Sequence, residues 1–296
     1  MSDETACHFV CSRGILKSCT FHSPAPTSSC ATDTRYLDAV PLTCAAGDSI
    51  YVCSEALGYF IDRIMPRIRQ PFVLVTGDSD LTVPTDAINL DQTMALMNNL
   101  LLLRWFAQNT VVRGHPKIVQ MPIGLDYHTI ASFGPGHRWS LAGEGVTPVE
   151  QEAVLRGIHG GDRIPKIYVN FGAFDKYGDR NSAMSTIPKE LMTVHLKQVP
   201  RTLVWKFMAK HAFVLSPFGN GMDCHRTWEA LVLGAIPIVR GHQFDELFAD
   251  LPVLIVDEWK DVTAELLTAT LEAFKGRSFK KERLELAYWK KQIASM

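Results

Sequence analysis

The residues with the most chemical content lie between Phe213 and Val239, in the run FVLSPFGNGMDCHRTWEALVLGAIPIV. The pattern predicts an apolar strand ending at Leu215 and a loop from Ser216 to Met222 that carries Gly219, Asn220 and Gly221. A helix is expected to start near Asp223–His225. Glycines let the backbone come close to a ligand, and a helix start offers unpaired N–H groups at the positive end of its dipole. An anion is expected there. Arg226 falls in the first helical turn, where a cation opposes the dipole, so a negatively charged ligand gives the better account of it. Glu229 follows three residues later on nearly the same face, where its carboxylate can accept hydrogen bonds from the two hydroxyls of a ribose. His225 can bond a phosphate or a sugar hydroxyl, and Gly234 and Pro237 turn the chain into the next strand. A purely structural reading stands beside this one, in which Asp223 caps the helix and Glu229 pairs with Arg226.

Such a loop and helix need a parallel sheet to hold them. In the first half, Ser49–Val52 is a strand candidate and Glu55–Arg69 has helical spacing. Pro71–Thr76 is a continuous apolar run ending at Gly77 and Asp78, the pattern of a strand buried on both faces. Thr93–Phe106 reads as a helix, and Thr110–Arg113 and Ile118–Met121 read as strands. The turn-rich segment Gly134–Gly145 breaks the alternation. Beyond it come helix Pro148–His159, strand Lys166–Asn170, helix Pro188–Lys197, strand His211–Leu215, helix His225–Leu233 and strand Ile236–Val239. A helical turn at Phe244–Phe248, strand Val253–Val256 and charged helical sequence from Ala264 onward complete the chain. Residues 1–30 show little periodicity, with one short strand near His8–Cys11. The expected fold is α/β, with two Rossmann-like domains facing each other across a cleft and helices at the C-terminus. The domains are an acceptor-side unit over 1–145, a donor unit over 146–275, and a final helix over 276–296 that packs back toward the first. Ligands collect at the carboxyl ends of strands in such sheets, which directs attention to the loops after Thr76, Asn170 and Leu215.

The 296 residues are 47% hydrophobic, and 30 Lys plus Arg face 31 Asp plus Glu. A balanced surface argues against a nucleic-acid partner, whose phosphates need a basic footprint. The N-terminus lacks the apolar core of a signal peptide, and no apolar run is long enough to span a bilayer, so a cytoplasmic, non-membrane protein is expected. Six of the seven cysteines (Cys7, Cys11, Cys19, Cys30, Cys44, Cys53) fall in the first 53 residues. Their spacing forms no CxxC pair, so free thiols are favoured over an N-terminal zinc module.

The segment resembles the C-terminal donor half of the exostosin-like glycosyltransferases through Ser216, Pro217, Gly219, Gly221, Arg226, Glu229-Ala230 and Gly234-x-x-Pro237-Ile238. Asn170-Phe171-Gly172 followed by Arg180 is similar to the strand, glycine loop and arginine that open that half. The likeness covers roughly residues 165–260, about a third of the chain. It implies the two-Rossmann-domain (GT-B) architecture and inverting transfer from a nucleoside-diphosphate sugar, UDP-linked, with no required metal or other cofactor. Arg180, Arg226 and the N–H groups around Gly219–Gly221 would hold the leaving diphosphate. The acceptor would be a glycan or glycoprotein. The chain also looks like the short, anchor-free members of large algal viruses, for which xylose is a plausible donor sugar, a capsid glycan the acceptor and the host cytoplasm the location.

The base for such a transfer must come from elsewhere in the cleft. Asp78, in TGDSD at the end of the strongest first-half strand, is the first choice and Asp80 the second; Asp78 can equally organise a turn. His115, Asp126 and His128 are further candidates. Tyr177 and Trp139 can stack on a sugar or a base, whereas Trp228, within a helix, suits the core. A dehydrogenase would need GxGxxG after an early strand, and no such run occurs. A nucleotide-sugar-binding protein that lacks catalysis remains the alternative.

Overall fold

The computed structural model describes residues 3–26, 34–140, 143–172, 175–195, 197–241 and 245–295. The first half is built on β1 (Asp48–Cys53), β2 (Phe72–Gly77), β3 (Leu102–Ala107) and β4 (Ile118–Gln120), parallel throughout and ordered β1-β2-β3-β4. The second is built on β5 (Ile164–Val169), β6 (Met192–Val194), β7 (His211–Leu215), β8 (Ile236–Arg240) and β9 (Leu254–Val256). Its strands are also parallel, in the order β6-β5-β7-β8-β9. Helices cover both sheets, giving the two-Rossmann-domain arrangement expected from the sequence.

Every residue of β2 and β7 is buried, which is why both read as unbroken apolar runs. Two of the three main apolar clusters belong to one half each. The third joins the halves: Val73, Val75 and Phe106 of the first sheet share it with Tyr168, Trp205, Val214 and Trp228 of the second. The N-terminal helix Ser12–Ser18 and the C-terminal helix Leu286–Ala294 pack on each other and close this shared core. The Val10 N–H donates to the Leu284 carbonyl and the Leu286 N–H to the His8 carbonyl, each at 2.8 Å.

Several segments differ from the sequence expectation. The helix expected over Thr93–Phe106 is a helix only over Leu90–Met97. It stops at Asn98, the Asn99 side chain accepts the Leu101 N–H, and LLRWFA becomes strand β3 between β2 and β4. A short apolar run suits a buried strand as well as a helix, and pairing on both edges decides it here. Thr110–Arg113 forms only an isolated bridge, Thr110 to Val83. Pro188–Lys197 is not a helix: a single turn, Lys189–Leu191, leads into β6, which pairs with β5. Helices Asp179–Thr186 and Arg201–Lys210 were not foreseen. Near the N-terminus, Phe9 and Cys11 make isolated bridges, not a strand. The turn at Phe244–Phe248 is described over Asp245–Phe248, with Phe244 outside the described residues.

Cys7, Cys11, Cys19, Cys44, Cys53 and Cys224 are free thiols, and Cys30 lies outside the described residues. Among the described residues no helix is long and apolar enough to cross a membrane.

Gly124 shows how tightly the N-terminal segment is seated. Its φ is +66°, and a Cβ there would lie 2.4 Å from the Val10 carbonyl oxygen. Gly124→Ala is therefore expected to destabilise the protein by about 1–3 kcal/mol, the usual cost of a strained backbone, plus the clash. Urea unfolding midpoints for the two proteins check this; an unchanged midpoint would contradict the packing described.

Candidate active site

The second sheet changes winding direction between β5 and β7. β6 follows β5 on one side, while β7 and its successors lie on the other. The loops leaving β5 and β7 consequently diverge, and a crevice opens at their carboxyl ends. The first sheet runs in sequence order with no such reversal. At this crevice the molecule has a cavity of about 660 Å³, bounded by both halves.

One end of the cavity is cationic. Arg180, near the start of helix Asp179–Thr186, donates from Nε to the Phe218 carbonyl (3.2 Å) and from Nη1 to the Gly172 carbonyl (2.9 Å). Arg226, the second residue of helix His225–Val232, donates from Nη1 to Ser216 Oγ and to the Pro217 carbonyl, both at 3.3 Å. Both guanidiniums lie over the same ring, Phe171, at 5.5 and 5.1 Å from its centroid. Burial pushes the Arg226 pKa below its ordinary value; Cys224 and Glu229 pull it back up, and Arg180 adds to the fall. Two like charges held beside one ring are a standing electrostatic cost that an anion would relieve. The glycine loop makes room for them, since a Cβ on Gly219 would meet Arg180 Nη2 at 2.8 Å. The loop glycine expected to admit a ligand therefore admits the side chain that faces it.

The other end is acidic. Arg201 is the first residue of helix Arg201–Lys210. Its Nη2 pairs with Asp126 Oδ2 at 3.1 Å and its Nε faces Glu229 Oε1 at 3.6 Å. Its Nη1 also bonds the Asp126 carbonyl, and the guanidinium sits 4.7 Å from the Trp139 ring centroid. Asp126 accepts further from the Thr129 N–H and hydroxyl. Burial opposes ionisation of Asp126, but His128, Arg201 and His225 together hold its carboxyl well below the usual range. Two carboxylates around one arginine present acceptor oxygens suited to the hydroxyls of a sugar or ribose.

Of the residues singled out in the sequence, Asp80, Gly172, Arg180, Gly219, Asn220, Gly221, Asp223, His225, Arg226 and Glu229 all line the cavity. Ser216 does not: it is buried, bonded to Thr227 Oγ1 at 2.8 Å, and acts through Arg226. Neither part of the purely structural reading holds. Cys224, not Asp223, stands at the helix N-cap, and Glu229 faces Arg201 rather than Arg226.

Asp223 lines the cavity and also ties the two halves together. Its buried carboxylate accepts the Ile123 N–H at 2.7 Å and the Trp228 indole N–H at 2.8 and 3.0 Å, while its own N–H donates to Asn109 Oδ1 at 2.9 Å. Burial pushes its pKa up to about 6 against those donors. Ile123 and Asn109 belong to the first half, so Asp223 clamps the glycine loop onto it.

Asp78 does not line the main cavity but a small recess beside it, and its carboxylate lies 3.6 Å from Arg13 Nε. Burial raises its pKa to about 6, with Arg13 and His225 opposing. The Asp78 N–H donates to Gln108 Oε1, and its φ of +53° marks a tight turn after β2. Asp80, two residues on, reaches the cavity beside Gly221.

His115 accepts the Lys117 N–H at Nδ1 and takes no part in the cavity. Trp228 is core, as its helix position implied. Trp139 lines the cavity. Tyr177 instead reaches Thr82 of the first half at 3.5 Å, within the loop Gly172–Asp179, of which residues 173 and 174 lie outside the described set.

Arg201 was missed in the sequence, although its signal matches that of Arg226: a cation in the first turn of a helix, opposed to the dipole. The unforeseen helix hid it.

No protein-family model matches this chain, and no curated protein matches it. Among solved structures it is similar to the N-terminal domain of trehalose-6-phosphate phosphatase from Candida albicans. Identity is 10%, over 88% of this chain and 69% of that one, with a TM-score of 0.39. A structure described as trehalose-6-phosphate from E. coli bound with UDP-2-fluoro glucose matches at 12% identity, over 88% and 72%, with a TM-score of 0.37. AviGT4, a glycosyltransferase involved in avilamycin A biosynthesis, matches at 12%, over 76% and 82%, with a TM-score of 0.32. Scores at this level carry no argument about activity, which rests on the residues of the cleft.

Proposed function

We propose that the cleft binds a nucleoside-diphosphate sugar and passes the sugar to a hydroxyl of a glycan acceptor. The observation that carries this reading is the pairing of Arg180 and Arg226 beside Phe171, at the switch point of the second sheet, with Glu229 one helical turn further on. A planar guanidinium can bond two phosphate oxygens at once. Two of them offset the charge of a diphosphate and of the leaving group that develops as the sugar departs, so the reaction needs no metal. The Glu229 carboxylate takes the ribose hydroxyls. The exostosin-like resemblance favours a UDP-linked donor, inverting transfer and, within the viral branch of that family, xylose as the sugar and a capsid glycan as the acceptor.

Calorimetric titration with UDP, UDP-xylose and UDP-glucose, alongside thermal unfolding, tests the donor site. A donor at a hundredfold excess over its dissociation constant adds about 2.7 kcal/mol of stability and raises the melting temperature. If no nucleoside diphosphate binds, the reading fails. The tie between Asp78 and Arg13 favours one second reading, a protein that binds a nucleotide sugar without turning it over. It would show binding and no release of free sugar.

A further inference from the structure

Beside the main cleft lies a recess of about 50 Å³, lined by Ser12, Asp78, Asp80, Gln108, His128 and His225. Asp80 and His225 line both spaces, so the recess opens where the two halves meet the donor loop. Apart from Ile123 its walls are polar, and two features point to an incoming hydroxyl. Ser12 is buried at 5% exposure, and its Oγ has no hydrogen-bond partner among the described residues. Buried polar groups are paired as a rule, so a hydroxyl with no protein partner on a cavity wall is free to bond a group that enters the cavity. His225 Nδ1 lies 2.7 Å from the Gly124 carbonyl oxygen. A carbonyl can only accept, so Nδ1 carries a proton, and in the neutral ring Nε2 is the nitrogen that holds the lone pair. No residue among those described bonds Nε2, and Arg226, its chain neighbour, faces the leaving-group end of the same cleft.

We propose that this recess receives the attacking hydroxyl of the acceptor, held by Ser12 Oγ, and that His225 Nε2 is the base that takes its proton. The assignment rests on the donor reading given above. The acceptor oxygen bonds to C1 of the donor sugar as the bond from C1 to the phosphate oxygen breaks. The electron pair leaves with the diphosphate, against Arg180 and Arg226. The hydroxyl proton goes to Nε2, and the imidazolium later returns it to solvent. The recess has room for a hydroxyl-bearing carbon and not for a sugar ring, so the acceptor is a saccharide or polyol presenting an unhindered hydroxyl. Water can occupy the same place, and slow hydrolysis of the donor then reports on the same base.

The test uses the full chain, with UDP binding read by calorimetry and release of free sugar from UDP-xylose and UDP-glucose read separately. His225→Asn keeps a donor for the Gly124 carbonyl but has no basic nitrogen. Its UDP affinity and melting temperature are expected to hold, while sugar release falls by about 10²–10⁴-fold and recovers in part with added imidazole. Ser12→Ala removes the hydroxyl without adding bulk and is expected to slow release by about 2–10-fold, the loss of one neutral hydrogen bond. Sugar release that stays at the wild-type rate in His225→Asn overturns the assignment, as does a loss that imidazole leaves untouched. A wild-type chain that binds UDP but releases no sugar also overturns it while sparing the donor site. Absence of UDP binding removes the donor reading and this inference together.

Discussion

Arg226→Ala is expected to weaken UDP binding by about 10²–10⁴-fold, the loss of two charge-assisted hydrogen bonds, while the ligand-free protein melts at or slightly above the wild-type temperature. The two halves of this expectation come from one feature. Arg226 makes no ion pair among the described residues; its bonds go to Ser216 Oγ and the Pro217 carbonyl. It is held beside a second cation, Arg180, on the same aromatic ring. Removing it takes away a half-buried charge and a repulsion, so stability does not depend on it, whereas an anion in the cleft does. Arg226→Lys should restore little, because an ammonium cannot hold Ser216 and the Pro217 carbonyl while bonding two phosphate oxygens. Calorimetric titration of UDP into the three proteins decides the matter. Unchanged affinity in Arg226→Ala would remove the diphosphate from this end of the cleft.

Arg226 was legible in the sequence because its whole context is local. Strand, glycine loop and helix start lie within fifteen residues, and a cation at the wrong end of a helix dipole asks for an anion. Glu229 is legible for the same reason, whereas Arg180 rests on the family resemblance alone, because the helix it starts, Asp179–Thr186, leaves no periodic signal in the sequence. The partners of Asp223 and Asp78 are not legible, because they are distant in the chain: Ile123 and Asn109 for the first, Arg13 for the second. A carboxylate beside a candidate site looks the same in a sequence whether it faces a ligand or a backbone N–H a hundred residues away. The fold shows the same division. β2 and β7 announce themselves by continuous apolar runs, while β3 reads as the end of a helix because LLRWFA carries no periodicity that separates the two. The pairing that makes it a strand comes from β2 and β4.

Arg201 belongs to the illegible part, and its removal carries the largest expected effect on stability. Arg201→Met keeps the length and apolar stem but leaves Asp126 and Glu229 buried without their shared cation. Breaking a buried pair from one side costs about 3–5 kcal/mol, and here two carboxylates lose the same partner. The loss should depend on pH in a definite direction. In the wild-type protein the Asp126 carboxyl is held well below its ordinary value of 3.8. Its stabilising contribution is therefore complete above that value and is lost only as pH falls through the depressed folded pKa. In Arg201→Met the depression is relieved, with His128 and His225 the remaining cations when protonated, and protonation then removes the unpaired charge. The deficit relative to wild type should be greatest at neutral pH and shrink as pH falls toward 4, close to the ordinary carboxylate value from which the shift is measured. Urea unfolding of both proteins across that range measures it. A deficit that does not change with pH would mean that Arg201 supports the fold through its stacking on Trp139 and not through the carboxylates, and Glu229 would then be free to meet a ribose without a guanidinium to orient it.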